Sequence, residues 1–229
     1  MSVKTHERTH RKQALRAEAR RMLNLLTPGG TITLEPGGRP SFADRHADFS
    51  ISHSRNMAAV TVLSVPPADP GAAAVETGRV PPAAKIPRIG CDIQYADPRA
   101  AHTDISRHFF HACERDYIFS ANASEQYLRF YRFWALKEAW LKMKGLSVFD
   151  MALAPAFNIE EDTGEVMPQQ CPKQQQSPFT DIFSWRLASP GGELYMLAVV
   201  REPAGGVKPC LQWFSPQLLA ALAEKTNFL

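Results

Sequence analysis

Hydrophobic and polar positions along residues 9–26 alternate with a helical period. Leu15, Ala19, Met22 and Leu26 form one stripe, and Arg11, Lys12, Arg16, Arg20 and Arg21 lie mostly off it. Thr27-Pro28-Gly29-Gly30 ends this helix. Residues 31–34 read as a short strand and residues 35–40 as a turn. Residues 48–52 form the next strand, with Phe49 and Ile51 on one face. His53-Ser54-Arg55-Asn56 is a polar turn, and residues 57–65 pair back as a strand. Residues 66–87 are rich in Pro, Ala and Gly without periodicity, which predicts a flexible insertion or linker. It divides the chain into an N-terminal part, 1–65, and a C-terminal part, 88–229.

The second part opens on RIGCDIQY, residues 88–95, a strand with strict alternation. Ile89, Cys91 and Ile93 face one way; Gly90, Asp92 and Gln94 face the other. Helical stretches are expected over 97–110, 114–120 and 124–144, the last with Ser124 as N-cap. Residues 156–160 read as a strand and 168–178 as a Gln- and Pro-rich loop. Strands at 179–187 and 194–201 are joined by the turn 189–192, followed by a strand at 211–214 and a helix at 216–225. Helices and antiparallel hairpins in both parts make an α+β pattern.

The candidate chemistry centres on the helix FYRFWALKEAWLKMKG, residues 130–145. Tyr127, Tyr131, Trp134, Leu141 and Gly145 mark a stripe, and Glu138 falls in the middle of it. A carboxylate on a buried face is costly unless paired. Lys137, Lys142 and Lys144 lie within two turns, so an inward Glu138 among lysines points to a divalent metal and a phosphorylated ligand. The plainer alternative is an exposed Glu138–Lys142 pair one turn apart. Asp92 in mid-strand is disfavoured by propensity. With Gln94 beside it and Glu138 opposite, it would complete a hard oxygen site for Mg²⁺; a solvent-facing strand surface is the alternative. The segment SISHSRN, residues 50–56, gathers hydroxyls and one imidazole, able to hold a phosphate or to form an ordinary polar turn.

Composition narrows the class. With 229 residues, 45% hydrophobic and 21% charged, the chain can bury one or two cores. No apolar run reaches the roughly 20 residues of a membrane span, and the N-terminus lacks the apolar core of a secretory signal. Cys91, Cys113, Cys171 and Cys210 show no metal-type spacing, which favours a reduced, cytoplasmic protein. The net charge is +3, concentrated in residues 1–26, where seven Lys or Arg face two Glu. A basic arm favours an anionic partner. Nucleic acid is not expected, because no aromatic-interleaved basic stripe accompanies it.

Three motifs in order resemble the 4′-phosphopantetheinyl transferase superfamily, in particular its monomeric, two-lobed, surfactin-type branch and short bacterial holo-acyl-carrier-protein synthases. Gly38-Arg39-Pro40 followed by FSISHS (49–54) is similar to GKP…FNISHS. IGCDIQ (89–94) is similar to G-x-D-x-E. FYRFWALKEAWLKMKGLS (130–147) is similar to F-x-x-x-W-x-x-K-E-A-x-x-K-x-x-G-x-G. HFFHACE (108–114) is a weaker match to R-F-F-x-x-x-E. The resemblance implies two pseudo-twofold-related α+β lobes with coenzyme A between them. The implied activity is Mg²⁺-dependent transfer of 4′-phosphopantetheine to a serine of an apo-acyl or apo-peptidyl carrier protein, releasing adenosine 3′,5′-bisphosphate. Asp92, Gln94 and Glu138 would hold Mg²⁺; Lys137 and Lys142 would meet the coenzyme phosphates. Ser52 and His53 would hold the 3′-phosphate, and Arg39 would replace a lysine near the nucleotide. Catalysis would rest on Glu138, Asp92 and Lys142. Gln94 departs from the family's Glu, and Ser147 from its second Gly. A non-catalytic member binding coenzyme A or a carrier protein is the alternative function.

Overall fold

The computed structural model describes residues 3–44, 47–64, 87–100, 102–160, 165–168, 181–202 and 212. The expected linker up to residue 86, the loop beyond residue 168, Cys171, Cys210 and the expected elements at 211–214 (Gln212 apart) and 216–225 lie outside the described residues.

The chain begins with α1 (Val3–Leu26), longer at its start than the pattern predicts. Leu23 and Ala19 are its buried positions, whereas Leu26 stays 45% exposed. Then come β1 (Ile32–Leu34) and β2 (Pro40–Phe42), an antiparallel pair around a turn in which Gly38 takes φ of 80°. The sequence pattern places only Pro40 of β2 in the turn and assigns no element to Ser41 and Phe42. β3 (Ala47–Ser54) and β4 (Met57–Ser64) form a hairpin. His53 and Ser54 belong to β3, and the tight turn is Arg55-Asn56 alone. Leu23 packs with Phe42, Ala47 and Phe49, so α1 covers one side of this hairpin.

β5 (Arg88–Tyr95) spans the residues its alternation predicts. α2 (His102–Phe109) and α3 (Ala112–Phe119) follow. α4 (Ala123–Lys144) is capped by Asn122, not Ser124: the Asn122 side chain accepts the Glu125 N–H at 3.1 Å. It ends at Gly145, whose φ of 74° is the left-handed conformation that glycine adopts freely. A 3₁₀ segment, Val148–Leu153, leads to the small pair β6 (Phe157–Ile159) and β7 (Val166–Pro168). β8 (Asp181–Ala188) and β9 (Leu194–Glu202) complete a three-stranded antiparallel sheet ordered β5-β9-β8. The fold is α+β, as its pattern predicts.

One face of this sheet carries α4: Leu136, Ala139 and Met143 pack with Met196, Ala198 and Val200. The other face carries Ile89, Cys91, Ile93 and Leu197, against Met57 and Ala59 of β4. Gly90 explains how close α4 comes. A Cβ there would overlap the Ala139 carbonyl oxygen and lie 2.6 Å from Met143 N, so only glycine lets the backbones touch.

Among the described residues, no strand pairs backbone to backbone with the outer edge of β5. Its N–H groups are met instead by alternate side chains of β3. Asp48 Oδ2 accepts from Ile89 N (2.8 Å), Ser50 Oγ from Cys91 N (2.9 Å), Ser52 Oγ from Ile93 N (3.2 Å) and Ser54 Oγ from Tyr95 N (2.9 Å). Both elements advance by two residues per rung, so the period-2 projection of a strand fits the edge of its neighbour. This ladder fixes where β3 stands relative to the catalytic candidates on β5. Among the described residues no helix is long and apolar enough to cross a membrane.

Candidate active site

Asp92 projects from the middle of β5 under α4 and is 1% exposed. That burial removes the solvent-facing alternative. Its carboxylate is held at both oxygens. Oδ1 accepts from Ser52 Oγ and Lys142 Nζ, each at 2.6 Å, and Oδ2 accepts from Gln94 Nε2 at 2.7 Å. α4 supplies Glu138 and Lys142 one turn apart. Trp134, one turn before Glu138, donates its indole N–H to Glu138 Oε1 at 2.7 Å. The Glu138 carboxyl is close enough to Asp92 for the two groups to act on each other electrostatically. Burial foremost, then the Asp92 charge, pushes Glu138 up to about 7, against the opposing pull of Lys142 and the indole. Burial, the largest single influence, works against the Lys142 ammonium, but Asp92, Cys91 and Glu138 together outweigh it and hold that pKa above its ordinary value.

Asp92, Gln94, Glu138 and Lys142 are thus brought together. Of the four other expected site residues, Lys137 and Arg39 are engaged elsewhere. Lys137 is fully buried, 3.0 Å from Glu114 Oε2, and donates to the Pro155 carbonyl at 3.1 Å. A step of one residue turns it about 100° from Glu138, toward α3, so it joins elements and does not reach the Asp92 cluster. Arg39 is also buried. Its guanidinium grips Asp48 through both nitrogens at 2.8 and 2.6 Å, and reaches the Ile89 and Lys142 carbonyls at 3.0 Å. With its donors turned to the protein, it ties β2, β3, β5 and α4 together. Ser52 is buried against Asp92. His53 remains half-buried beside it. Burial, and after it the nearby cations Arg16, Lys142 and Lys12, lowers its pKa, although a hydrogen bond with its own backbone opposes this.

Sequence reasoning missed Trp134 as the partner of Glu138 and Asp48 as the partner of Arg39. The four-residue spacing of Trp134 and Glu138 was the available signal for the first. Glu114, the partner of Lys137, was present in the HFFHACE segment. It also accepts the N–H groups of His111 and Phe157, at 2.9 and 3.0 Å.

The donor chemistry suits a hard divalent cation. Two carboxylates approach each other with one lysine for compensation, and a side-chain amide adjoins them; turning that amide over exchanges its nitrogen for an oxygen. Among the described residues no three or more His, Cys, Asp or Glu side chains gather into a metal-holding group. Asp92, Glu138 and the Gln94 amide are the side chains that would hold such an ion, with remaining positions open to a ligand's own oxygens.

Comparison with known proteins matches residues 88–188 to the 4′-phosphopantetheinyl transferase superfamily. The chain is 30% identical over 177 residues to 4′-phosphopantetheinyl transferase A of Aspergillus fumigatus, covering 60% of this chain and 48% of that protein. It is 28% identical over 145 residues to 4′-phosphopantetheinyl transferase HetI of Nostoc sp., covering 56% and 52%. The chain spans about half the length of these curated relatives. The matched span contains Asp92, Gln94, Glu138 and Lys142, whereas Arg39, Ser52 and His53 precede it.

Proposed function

We propose that this protein transfers the 4′-phosphopantetheine group of coenzyme A to a serine of an apo-acyl or apo-peptidyl carrier protein, in the manner of a holo-acyl-carrier-protein synthase. The observation that carries the reading is the convergence of Asp92, Glu138 and Lys142 from β5 and α4. It gives a buried pair of carboxylates with one ammonium, on the segment that matches the superfamily. In the reaction, the serine oxygen forms a bond to the phosphorus that bears pantetheine. The bond from that phosphorus to the bridging oxygen breaks, and adenosine 3′,5′-bisphosphate leaves with that oxygen.

Mg²⁺ held by Asp92, Glu138 and the Gln94 amide would supply charge neutralisation at the pyrophosphate. The chain's own groups would do the rest. Lys142 stays protonated beside Asp92 and places a fixed positive charge where negative charge builds on the leaving group. Glu138 is the candidate to take the serine proton, its orientation fixed by the Trp134 N–H. Lys12 and Arg16 of α1, near His53, favour an anionic end of the coenzyme on that side.

The surfactin-type branch, a two-lobed monomer with lobes at 1–65 and 88–229 joined by 66–87, and action in the cytoplasm belong to the same proposal. They are supported by the motif order and the composition. Incubation of the purified protein with coenzyme A, Mg²⁺ and a panel of apo-carrier proteins, followed by intact-mass spectrometry, tests the reading. One phosphopantetheinyl group should appear on at least one carrier. No adduct on any carrier would overturn it.

A further inference from the structure

The Ser52 hydroxyl has one hydrogen to give and two lone pairs to receive. All three capacities are used. Ile93 N, at 3.2 Å, and the Lys142 ammonium, at 3.0 Å, can only donate. Both must therefore fall on the Ser52 lone pairs, and the single hydroxyl hydrogen is left for Asp92 Oδ1 at 2.6 Å. The proton direction follows by elimination, without any hydrogen being seen. A hydroxyl saturated in this way has no hydrogen left for a phosphate.

We infer that Ser52 is a positioning residue that orients the Asp92 carboxylate for the metal, and not a contact for the coenzyme's 3′-phosphate. The inference rests on the metal-dependent reading above. Asp92 Oδ1 is held from one side by Ser52 and Lys142, while Gln94 holds Oδ2, which fixes the plane of the carboxylate beside Glu138. Ser52 also lies outside the span that matches the superfamily. The N-terminal hairpin thus reaches into the site built by β5 and α4, through one rung of the side-chain ladder. Groups that orient a metal ligand change metal affinity typically 10–100-fold when lost.

The ladder supplies its own control. Ser50 makes an equivalent rung to Cys91 N at 2.9 Å but has no hydrogen bond to Asp92. Mn²⁺ binding to the purified full-length protein, followed by electron paramagnetic resonance in the absence of coenzyme A, reads the metal site without requiring turnover. Ser52→Ala should weaken Mn²⁺ binding about ten-fold or more. Ser52→Thr, which keeps the hydroxyl, should bind like the wild type, and so should Ser50→Ala. In transfer assays Ser52→Ala should raise the Mg²⁺ requirement and leave the preference for coenzyme A over 3′-dephospho-coenzyme A unchanged.

Equal Mn²⁺ affinity in wild type and Ser52→Ala overturns the inference and leaves the transferase reading standing. So does equal weakening in Ser50→Ala, which would trace the effect to the ladder as a whole. Loss of the preference for the 3′-phosphate in Ser52→Ala would return the hydroxyl to that phosphate. A wild type that binds Mn²⁺ but modifies no carrier sinks the transferase reading alone. One that binds no Mn²⁺ removes the metal site and Ser52's role with it. If Ser52→Ala does not fold, Ser52→Thr decides: weakened binding with the hydroxyl retained contradicts the inference.

Discussion

Trp134 donates its indole N–H to Glu138 across one turn of α4, at 2.7 Å, and so fixes one oxygen of the carboxylate that faces Asp92. Burial foremost, and then the charge of Asp92, raises the Glu138 carboxyl to about 7 against an ordinary 4.5.

The sign of the pH effect follows. A carboxyl whose pKa is raised on folding binds more protons in the folded than in the unfolded chain between the two values. Stability is therefore greatest below about pH 4.5 as far as this group is concerned, and is lost as pH rises through about 7. Glu138→Gln keeps an oxygen for the indole and removes the charge. At about pH 8 the metal-free variant should be more stable than the wild type by on the order of 1–3 kcal/mol. Added Mg²⁺ should raise the wild-type melting temperature and leave that of Glu138→Gln nearly unmoved. Thermal unfolding across pH, with and without Mg²⁺, checks both statements.

The buried Lys137–Glu114 pair predicts a different outcome from a phosphate contact. Removing either partner alone strands a charge and should cost about 3–5 kcal/mol. Lys137→Met should therefore unfold at much lower urea concentration, and Lys137→Met with Glu114→Leu should recover part of the loss. A Lys137→Met protein of wild-type stability with a raised KM for coenzyme A would place the lysine at the coenzyme after all.

The strand β5 and the helix α4 were legible because their periods are strong and uninterrupted. The faces that Asp92 and Glu138 occupy were legible, but burial of Asp92 was one of two open readings until the structure placed it at 1% exposure. The partners of Arg39 and Lys137 were not legible, because a basic side chain beside a motif looks the same whether it points to a phosphate or to a carboxylate on another element. Asp48 and Glu114 decide the matter, and neither contact is set by local spacing. Helical geometry did carry a warning about Lys137, since only Glu138 and Lys142 share a face. The ladder between β3 and β5 was hidden for a further reason. Alternating Asp48, Ser50, Ser52 and Ser54 looks like a half-exposed strand until the unpaired edge of β5 is set against it.

Gly90 admits α4 to the sheet. Gly90→Ala should push the helix away from β5 and separate Glu138 and Lys142 from Asp92. We expect a destabilisation of several kcal/mol, in the range of an overpacked core, with transfer activity falling in whatever fraction still folds. Wild-type melting and activity in this variant would contradict the close contact described here.

The central claim is that Asp92, Glu138 and Lys142 form one phosphoryl-transfer site in which Gln94 fills a lesser role. Intact-mass measurement of carrier-protein modification against Mg²⁺ concentration, for wild type and for Asp92→Ala, Glu138→Ala and Gln94→Ala, tests it most directly. The account predicts phosphopantetheinylation by the wild type, and loss of two orders of magnitude or more, about what displaced catalytic groups cost, in Asp92→Ala and Glu138→Ala. A smaller, Mg²⁺-rescuable loss is predicted for Gln94→Ala. Near-wild-type modification by Asp92→Ala or Glu138→Ala would contradict it.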